Sequence, residues 1–384
     1  MNGLPRRVFM KRISVLFRPG GFSGAIFFEV IIMDEKYMEL AVSLALKGLG
    51  RVSPNPAVGA VIVKNGRVIG GGYHEKYGGK HAEINALESC IESPDGSDMY
   101  VTLEPCGHFG KQPPCAESII KAGIKRVFVG CADPNPLVAG RGITELKKNG
   151  VKVETGVLEN KCRMANEWFF HYIKTKTPFT VMKYAMTMDG KICSYIGESK
   201  WITGEEARKH VHSQRGIFDA VMVGVGTVIS DNPLLTCRTG GRNPIRIICD
   251  TNLRTPLDCS ISETASYIPS IIATCRGDLK KTEPYVKKGF EIITVPEEKG
   301  RVGLKSLMRI LGERGIGSVI IEGGAELNWS ALESGVVQKI QAYISPKILG
   351  GKTAKTPIGG VGFPHLDCSV RLSGSTVTKF GGDF

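Results

Sequence analysis

The chain has 384 residues, 42% of them hydrophobic and 23% charged. That length predicts about two domains, and the apolar fraction excludes wholesale disorder, a collagen-like repeat and, with no apolar run near the ~18–20 residues required, a bilayer-spanning helix. A net charge of +13 (50 Lys and Arg against 37 Asp and Glu) is compatible with nucleic acid, an anionic small substrate or solubility alone.

Residues 1–32 carry Arg6, Arg7, Lys11, Arg12 and Arg18 but only one acid, Glu29. They lack the continuous apolar stretch and cleavage site of a secretory signal. The segment reads as an organelle transit peptide or, preferably, as a basic extension ahead of a fold that starts near Met33. From Met33 to Gly48, MDEKYMELAVSLALKG repeats apolar residues at helical spacing and meets a glycine stop. AVGAVIVKNGRVIGGGY (57–73) predicts a hairpin about Asn65-Gly66, and HAEINALESC (81–90) a helix. DMYVTLEPC (98–106) is a buried strand running into a loop, and PCAESIIKAG (114–123) a helix opened by Pro114. A strand at KRVFVGC (125–131), a helix at ITELKKNG (143–150) and a last helix stopping before Pro178 complete a first domain over 33–176.

A second domain over 177–384 restarts with the strand FTVMKYAM (179–186). Apolar runs follow at FDAVMVGV (218–225), PIRIICD (244–250), PSIIAT (269–274), FEIITV (290–295) and GSVIIEGG (317–324), with helical patterns between several of them. This alternation predicts an α/β sheet covered on both faces. The 11 cysteines are odd in number and scattered singly, so most are expected in the core and the compartment is expected to be a reducing cytoplasm.

The chemistry concentrates at His81-Ala82-Glu83 and at Cys106 and Cys115. One imidazole and two thiolates suit a tetrahedral zinc whose fourth position is left for water, as in a catalytic site. His81 opens a predicted helix, Cys106 ends a strand, and Cys115 follows Pro114, where the helix dipole is expected to favour its thiolate. Glu83 is close enough to pass a proton from water to a leaving amine. The order H-x-E…P-C…C is that of zinc deaminases acting on nucleobase-like rings. The eight residues between the cysteines, GHFGKQPP, replace the usual two and bring His108 and Lys111 to the site. Lys111 reads equally as a partner for a phosphorylated substrate or as a plain surface lysine.

In the second half, VGVGTV (223–228) lacks the third glycine of a dinucleotide fingerprint. IEGGAELN (321–328) delivers a Gly-Gly turn to a helix N-terminus, either a pyrophosphate cradle or a tight connection without ligand.

From about Met33 onward the chain resembles the bifunctional riboflavin-biosynthesis deaminase/reductase family. The resemblance is carried by SPNPAVGAVIV (53–63), HAEINAL (81–87), LEPCGHFGKQPPC (103–115), DPNPLVAGRG (133–142), MKYAMTMDGKI (182–192), ESKWITG (198–204), DNPLLTCR (231–238) and IEGGAELN (321–328). It implies a cytidine-deaminase-like α/β/α domain followed by a dihydrofolate-reductase-like α/β domain. The first would deaminate 2,5-diamino-6-ribosylamino-4(3H)-pyrimidinone 5′-phosphate, and the second would reduce the ribosyl chain to ribityl with NADPH. It further implies that His81, Cys106 and Cys115 hold one zinc per chain and that Glu83 is the proton shuttle. Asn55, His74, His108, Lys111, Asp133 and Asn135 then form the deaminase pocket. Ser199, Arg215, Leu234, Arg238 and Glu322 contact the second substrate, the arginines gripping its 5′-phosphate. Ala185, Trp201, Thr227, Asp231, Thr251, Gly324, Ala325, Glu326 and Leu327 contact NADPH, with Lys183 and Asp189 flanking the hydride region.

A homo-oligomer, dimer or tetramer, is expected, without nucleic acid or membrane as partner. Chains of this family usually continue one strand beyond the counterpart of FGGDF, so the last sheet edge is expected to differ here. Competing readings are a nucleic-acid-editing deaminase with a basic second half, disfavoured by 7% aromatics, and a deaminase whose second half serves only oligomerisation. Without residues 1–32 the chain keeps 45 basic and 36 acidic residues, a net +9 that two anionic small ligands accommodate.

Overall fold

The computed structural model describes residues 23–107, 114–135 and 139–384, with side chains from Asp34 onward. In the first half, α1 (Ser23–Leu46) starts ten residues before the expected Met33. It leads into β1 (Gly59–Lys64) and β2 (Arg67–Tyr73), joined by the predicted hairpin turn. Asn65 and Gly66 both take positive φ there, which the right-handed twist of the flanking strands favours. Then come α2 (Ala82–Glu88), β3 (Asp98–Leu103), α3 (Cys115–Lys121), β4 (Arg126–Cys131) and α4 (Arg141–Lys148). β5 (Lys152–Thr155) and α5 (Glu159–Ala165) had no prediction, being short and mostly polar. α6 (Glu167–Thr175) ends before Pro178 as expected.

The sheet order is β2-β1-β3-β4-β5, antiparallel from β2 to β3 and parallel from there. Side chains alternate across a strand, so β1 serves both faces. Ala60 and Ile62 pack with α2, α3 and α4 through Ala86, Ile119 and Leu146. Val61 and Val63 pack with α1, α5 and α6 through Met38, Cys162 and Phe170. These are three layers, helices on both faces of one sheet.

The second half contains β6 (Phe179–Thr187), α7 (Glu205–Ile217), β7 (Ala220–Gly224), α8 (Val225–Asp231), β8 (Ile245–Cys249), α9 (Ser260–Glu263), β9 (Ser270–Thr274), α10 (Leu279–Lys287) and β10 (Glu291–Thr294). A small hairpin of β11 (Glu297–Glu298) and β12 (Arg301–Val302) precedes α11 (Leu304–Glu313), β13 (Ser318–Ile321), α12 (Ala325–Glu333) and β14 (Lys339–Ser345). Seven strands pair in the order β10-β9-β8-β7-β13-β6-β14, every pair parallel. A parallel sheet must be covered on both faces, which explains the unbroken apolar runs. α11 and α12 cover one face, α11 through Leu304, Leu307, Met308 and Leu311 at helical spacing. α8, α9 and α10 cover the other. β14, whose apolar run is interrupted by Lys339, Gln341 and Ser345, escaped the sequence pattern. Its outer edge is not bare, because Phe384 exchanges backbone hydrogen bonds of 2.8 and 3.0 Å with Ile344. Five cysteines are buried, five half-buried and Cys368 is exposed, so the core expectation holds for some of them only.

Candidate metal centre and reductase cleft

Two short helices and one strand build the first site. β3 ends at Leu103, and the chain leaves the sheet through Glu104, Pro105 and Cys106. His81 is the N-cap of α2, and Cys115 is the first residue of α3. Pro114 caps that helix with ψ 130° instead of forming its first residue as expected. The Nδ1 of His81 lies 3.2 Å from the Cys115 Sγ and 3.6 Å from the Cys106 Sγ. All three ligand atoms fall within 4.8 Å of one another. One imidazole and two sulfurs converging so closely fit a borderline-soft cation such as zinc. The Cys115 backbone N–H donates to the Cys106 Sγ at 3.3 Å, so the start of α3 also supplies a donor to the neighbouring ligand sulfur. The Cys115 thiol and the His81 ring, both donating to its sulfur, hold Cys106 well below the usual thiol range. Cys115, hydrogen-bonded to Cys106 and buried, is pushed up.

Glu83 is 3% exposed in the first turn of α2. Burial pushes its carboxyl up to about 7, against the opposing pull of His81. A carboxyl so placed can take and return a proton near neutrality. His74 is buried beside His81, ring centroids 5.6 Å apart. Its Nδ1 donates to the Lys80 carbonyl at 2.9 Å, which leaves Nε2 to accept from the Asn55 Nδ2 at 3.2 Å. Burial lowers the pKa of His74, in keeping with this neutral tautomer. Asn55 is thereby held with its amide oxygen oriented by a buried ring. Asp133 Oδ1 accepts the Asn135 amide at 2.8 Å, the local turn chemistry of the DPNP segment. His108 and Lys111 lie outside the described residues.

Sequence reading missed Glu104. This buried carboxylate accepts the backbone N–H groups of Asp133 (3.4 Å), Gly140 (3.1 Å) and Ile143 (3.5 Å), tying the DPNP loop to the strand that delivers Cys106. Gly142 makes that closeness possible, since a Cβ there would lie 1.7 Å from the Pro105 carbonyl oxygen. Its position between strand end and ligand was the only available signal.

The second cleft, of about 350 Å³, opens between the ends of β7 and β8 and the start of α12. Thr251, Glu326 and Leu327 line it together with Gly224, Asn252 and Arg254. A Cβ on Gly324 would come within 3.3 Å of the Thr227 Oγ1, so Thr227 and the Gly-Gly turn are close neighbours, each within two residues of a residue that lines the cleft. Gly224 and Gly226 keep this space open and Arg254 brings positive charge to it, while Arg301 is paired with Glu326, so the residues present fit a phosphate of a dinucleotide. Ala325 opens α12 beside it, and Asp231 closes α8. Ala185 and Trp201 do not line this cleft. Ala185 packs against Ala207, Val211 and Tyr343, while Trp201 is exposed beneath Arg208.

The expected grip of Arg215 on a phosphate meets a competitor. Its guanidinium forks onto both carboxylate oxygens of Glu322 at 2.7 and 2.8 Å and also donates to the Thr236 carbonyl. Burial alone would push Glu322 up, but the Arg215 charge prevails and holds it at about 2. Lys183 sits beside this pair under the Tyr343 ring, its pKa lowered by burial. Arg238 is exposed nearby, Leu234 is at the surface of the same loop, and Ser199 is half-buried in the turn before α7. Asp189 is engaged by Thr187 and by the amides of Leu349 and Gly350, a loop-tying role.

A zinc-type deaminase site on one α/β/α domain and a glycine-bordered cleft at the strand ends of a second α/β domain define a two-activity enzyme. Residues 32–131 match the cytidine and deoxycytidylate deaminase zinc-binding region, and residues 178–384 match the RibD C-terminal domain. The riboflavin biosynthesis protein RibD of Actinobacillus pleuropneumoniae is 51% identical over 351 residues, 91% of this chain and 93% of that protein. That of Bacillus amyloliquefaciens is 41% identical over 354 residues, 91% of this chain and 95% of its own. The crystal structure of a diaminohydroxyphosphoribosylaminopyrimidine deaminase/5-amino-6-(5-phosphoribosylamino)uracil reductase from Thermotoga maritima superposes with a TM-score of 0.82 at 38% identity, covering 92% of this chain and 97% of that one. The chain belongs to the RibD family of bifunctional deaminase/reductases of riboflavin biosynthesis. Among the described residues no helix is long and apolar enough to cross a membrane.

Proposed function

We propose that the two halves act in succession on one phosphorylated pyrimidine, deaminating 2,5-diamino-6-ribosylamino-4(3H)-pyrimidinone 5′-phosphate and then reducing its ribosyl chain to ribityl. The observation that carries this reading is the convergence of His81, Cys106 and Cys115 beside the buried Glu83. His81, Cys106 and Cys115 would hold one zinc per chain, which when bound supplies Lewis-acid activation of water. Glu83 takes the proton of the attacking water at its carboxylate. It returns that proton to the exocyclic amine, so that the ring C–N bond breaks and ammonia leaves. Asn55, oriented by His74, presents its amide to the ring edge, and Asp133, Asn135, His108 and Lys111 are further substrate contacts.

In the second half, NADPH supplies the hydride, and the protein contributes geometry. Gly324, Ala325, Glu326 and Leu327 at the α12 start would hold the cofactor's pyrophosphate, and Thr227, Thr251, Asp231, Ala185 and Trp201 would be its further contacts. Arg215 and Glu322 orient one another and Lys183 next to the sugar. The phosphate falls to Arg238, because the Arg215 fork is engaged, and Ser199 and Leu234 complete that pocket. The domains are proposed to span 33–176 and 177–384, in a cytoplasmic homo-oligomer. Purified protein given the diaminopyrimidine ribosyl phosphate should release ammonia and then, on addition of NADPH, lose the absorbance of the reduced cofactor. Ammonia release without that loss would leave only the deaminase half of the proposal standing.

A further inference from the structure

The loop that carries Asn55 is fastened at both ends by residues the two activities do not otherwise use. At its far end the Asn166 side chain, fully buried, accepts the Ala57 amide at 2.8 Å and donates to the Ala57 carbonyl at 2.7 Å. At its near end the Ser53 hydroxyl donates at 3.0 Å to Asp219 Oδ2, which belongs to the reductase half. Asp219 is itself fixed. It is 5% exposed, and the same Oδ2 accepts the Gly317 and Ser318 amides at 3.0 Å and the Ser318 hydroxyl at 3.1 Å. Its Oδ1 accepts from Arg242. Three residues before Ser53, Gly50 meets the end of α7 so closely that a Cβ would lie 2.1 Å from the Gly216 carbonyl oxygen, and its φ of +79° favours glycine as well. The two halves are therefore in contact at this loop, beside the arginine-bearing end of α7.

We propose that Asp219 is a positioning residue for deamination, acting from the reductase half through Ser53 to set the register of the Asn55 loop. The inference rests on the reading of Asn55 as a contact with the pyrimidine. From one fastening to the other the segment counts only five residues, 53–57, with Asn55 at its centre. Its backbone N–H donates to the Val52 carbonyl at 2.8 Å, so a shift at Ser53 moves the Asn55 side chain against the His74 ring that orients it. A hydroxyl-to-carboxylate bond is charge-assisted, and Asp219 is pre-held by four other donors, so its oxygen provides a fixed reference point for the loop.

Full-length Ser53→Ala tests this, because it removes one bond and leaves the other donors of Asp219 in place. Deamination should show a KM raised about five- to tenfold, the scale of one ordinary net hydrogen bond transmitted through the loop, with kcat within about twofold. The reductase constants should be unchanged, and Ser53→Thr, which keeps the hydroxyl, should restore most of the KM. An unchanged deamination KM in Ser53→Ala, or an equal fall in both activities with a lower Tm, would overturn the positioning role. Asn55→Ala separates the two levels. If it raises KM and Ser53→Ala does not, the positioning role alone fails. If Asn55→Ala leaves KM unchanged, the substrate reading of the loop fails and this inference with it.

Discussion

The two sites are built in opposite ways. The deaminase centre draws its ligands from the starts of two short helices and the exit of one strand, all within 35 residues, and its chemistry lies in rare residue types. The reductase cleft gathers residues from β7, α8, β8, β12, α11 and α12, about 100 residues apart in the chain, and most of its lining is of common types: glycine, valine, leucine, serine and threonine. A metal centre needs particular atoms, so its sequence trace is strong. A dinucleotide cleft needs space and amide groups, which many residues supply.

That contrast can be broken by experiment. The largest effect is expected at the metal: Cys115→Ala should remove bound zinc, measured by elemental analysis, and abolish ammonia release, while NADPH oxidation on pre-deaminated substrate continues. Retained zinc would remove Cys115 from the ligand set. Next comes the buried pair of the reductase half. Glu322→Gln leaves the Arg215 charge uncompensated and should lower stability by about 3–5 kcal/mol in denaturant titration. A loss under 1 kcal/mol would mean that Arg215 finds another partner or solvent.

The same pair gives the smallest effect, in acid. Glu322 has a folded pKa of about 2, below the ordinary carboxylate value, so its stabilisation is complete at neutral pH. It is lost as pH falls from roughly 4.5 towards 2, and amounts to roughly 3 kcal/mol for a pair this buried. Glu322→Gln should flatten the acid limb of a stability-against-pH curve over that window. An unchanged limb would assign the acid sensitivity to other carboxylates.

How much the sequence revealed follows the same division. The hairpin about Asn65-Gly66, the strands leading towards Cys106 and Gly324 and the helices that follow His81 and Pro114 were all legible, because turn glycines, apolar runs and helix starts are local signals. β5, α5 and β14 were not, since they are short or polar and exist because neighbouring elements pair with or cover them. The Asp219–Ser53 bond spans 166 residues and joins two ordinary residue types, so nothing local announces it. Arg215 shows the limit from the other side: an arginine near a phosphate site can be correctly singled out while its fork is engaged by a carboxylate that only the fold brings close.

The central claim, that one chain carries two separable chemistries, is tested most directly by Glu83→Gln with both activities read on one preparation. The account predicts full zinc content, ammonia release slowed about 10²–10⁴-fold and NADPH oxidation on pre-deaminated substrate at the unmodified rate. Loss of both activities with zinc retained, or undiminished ammonia release, would contradict it.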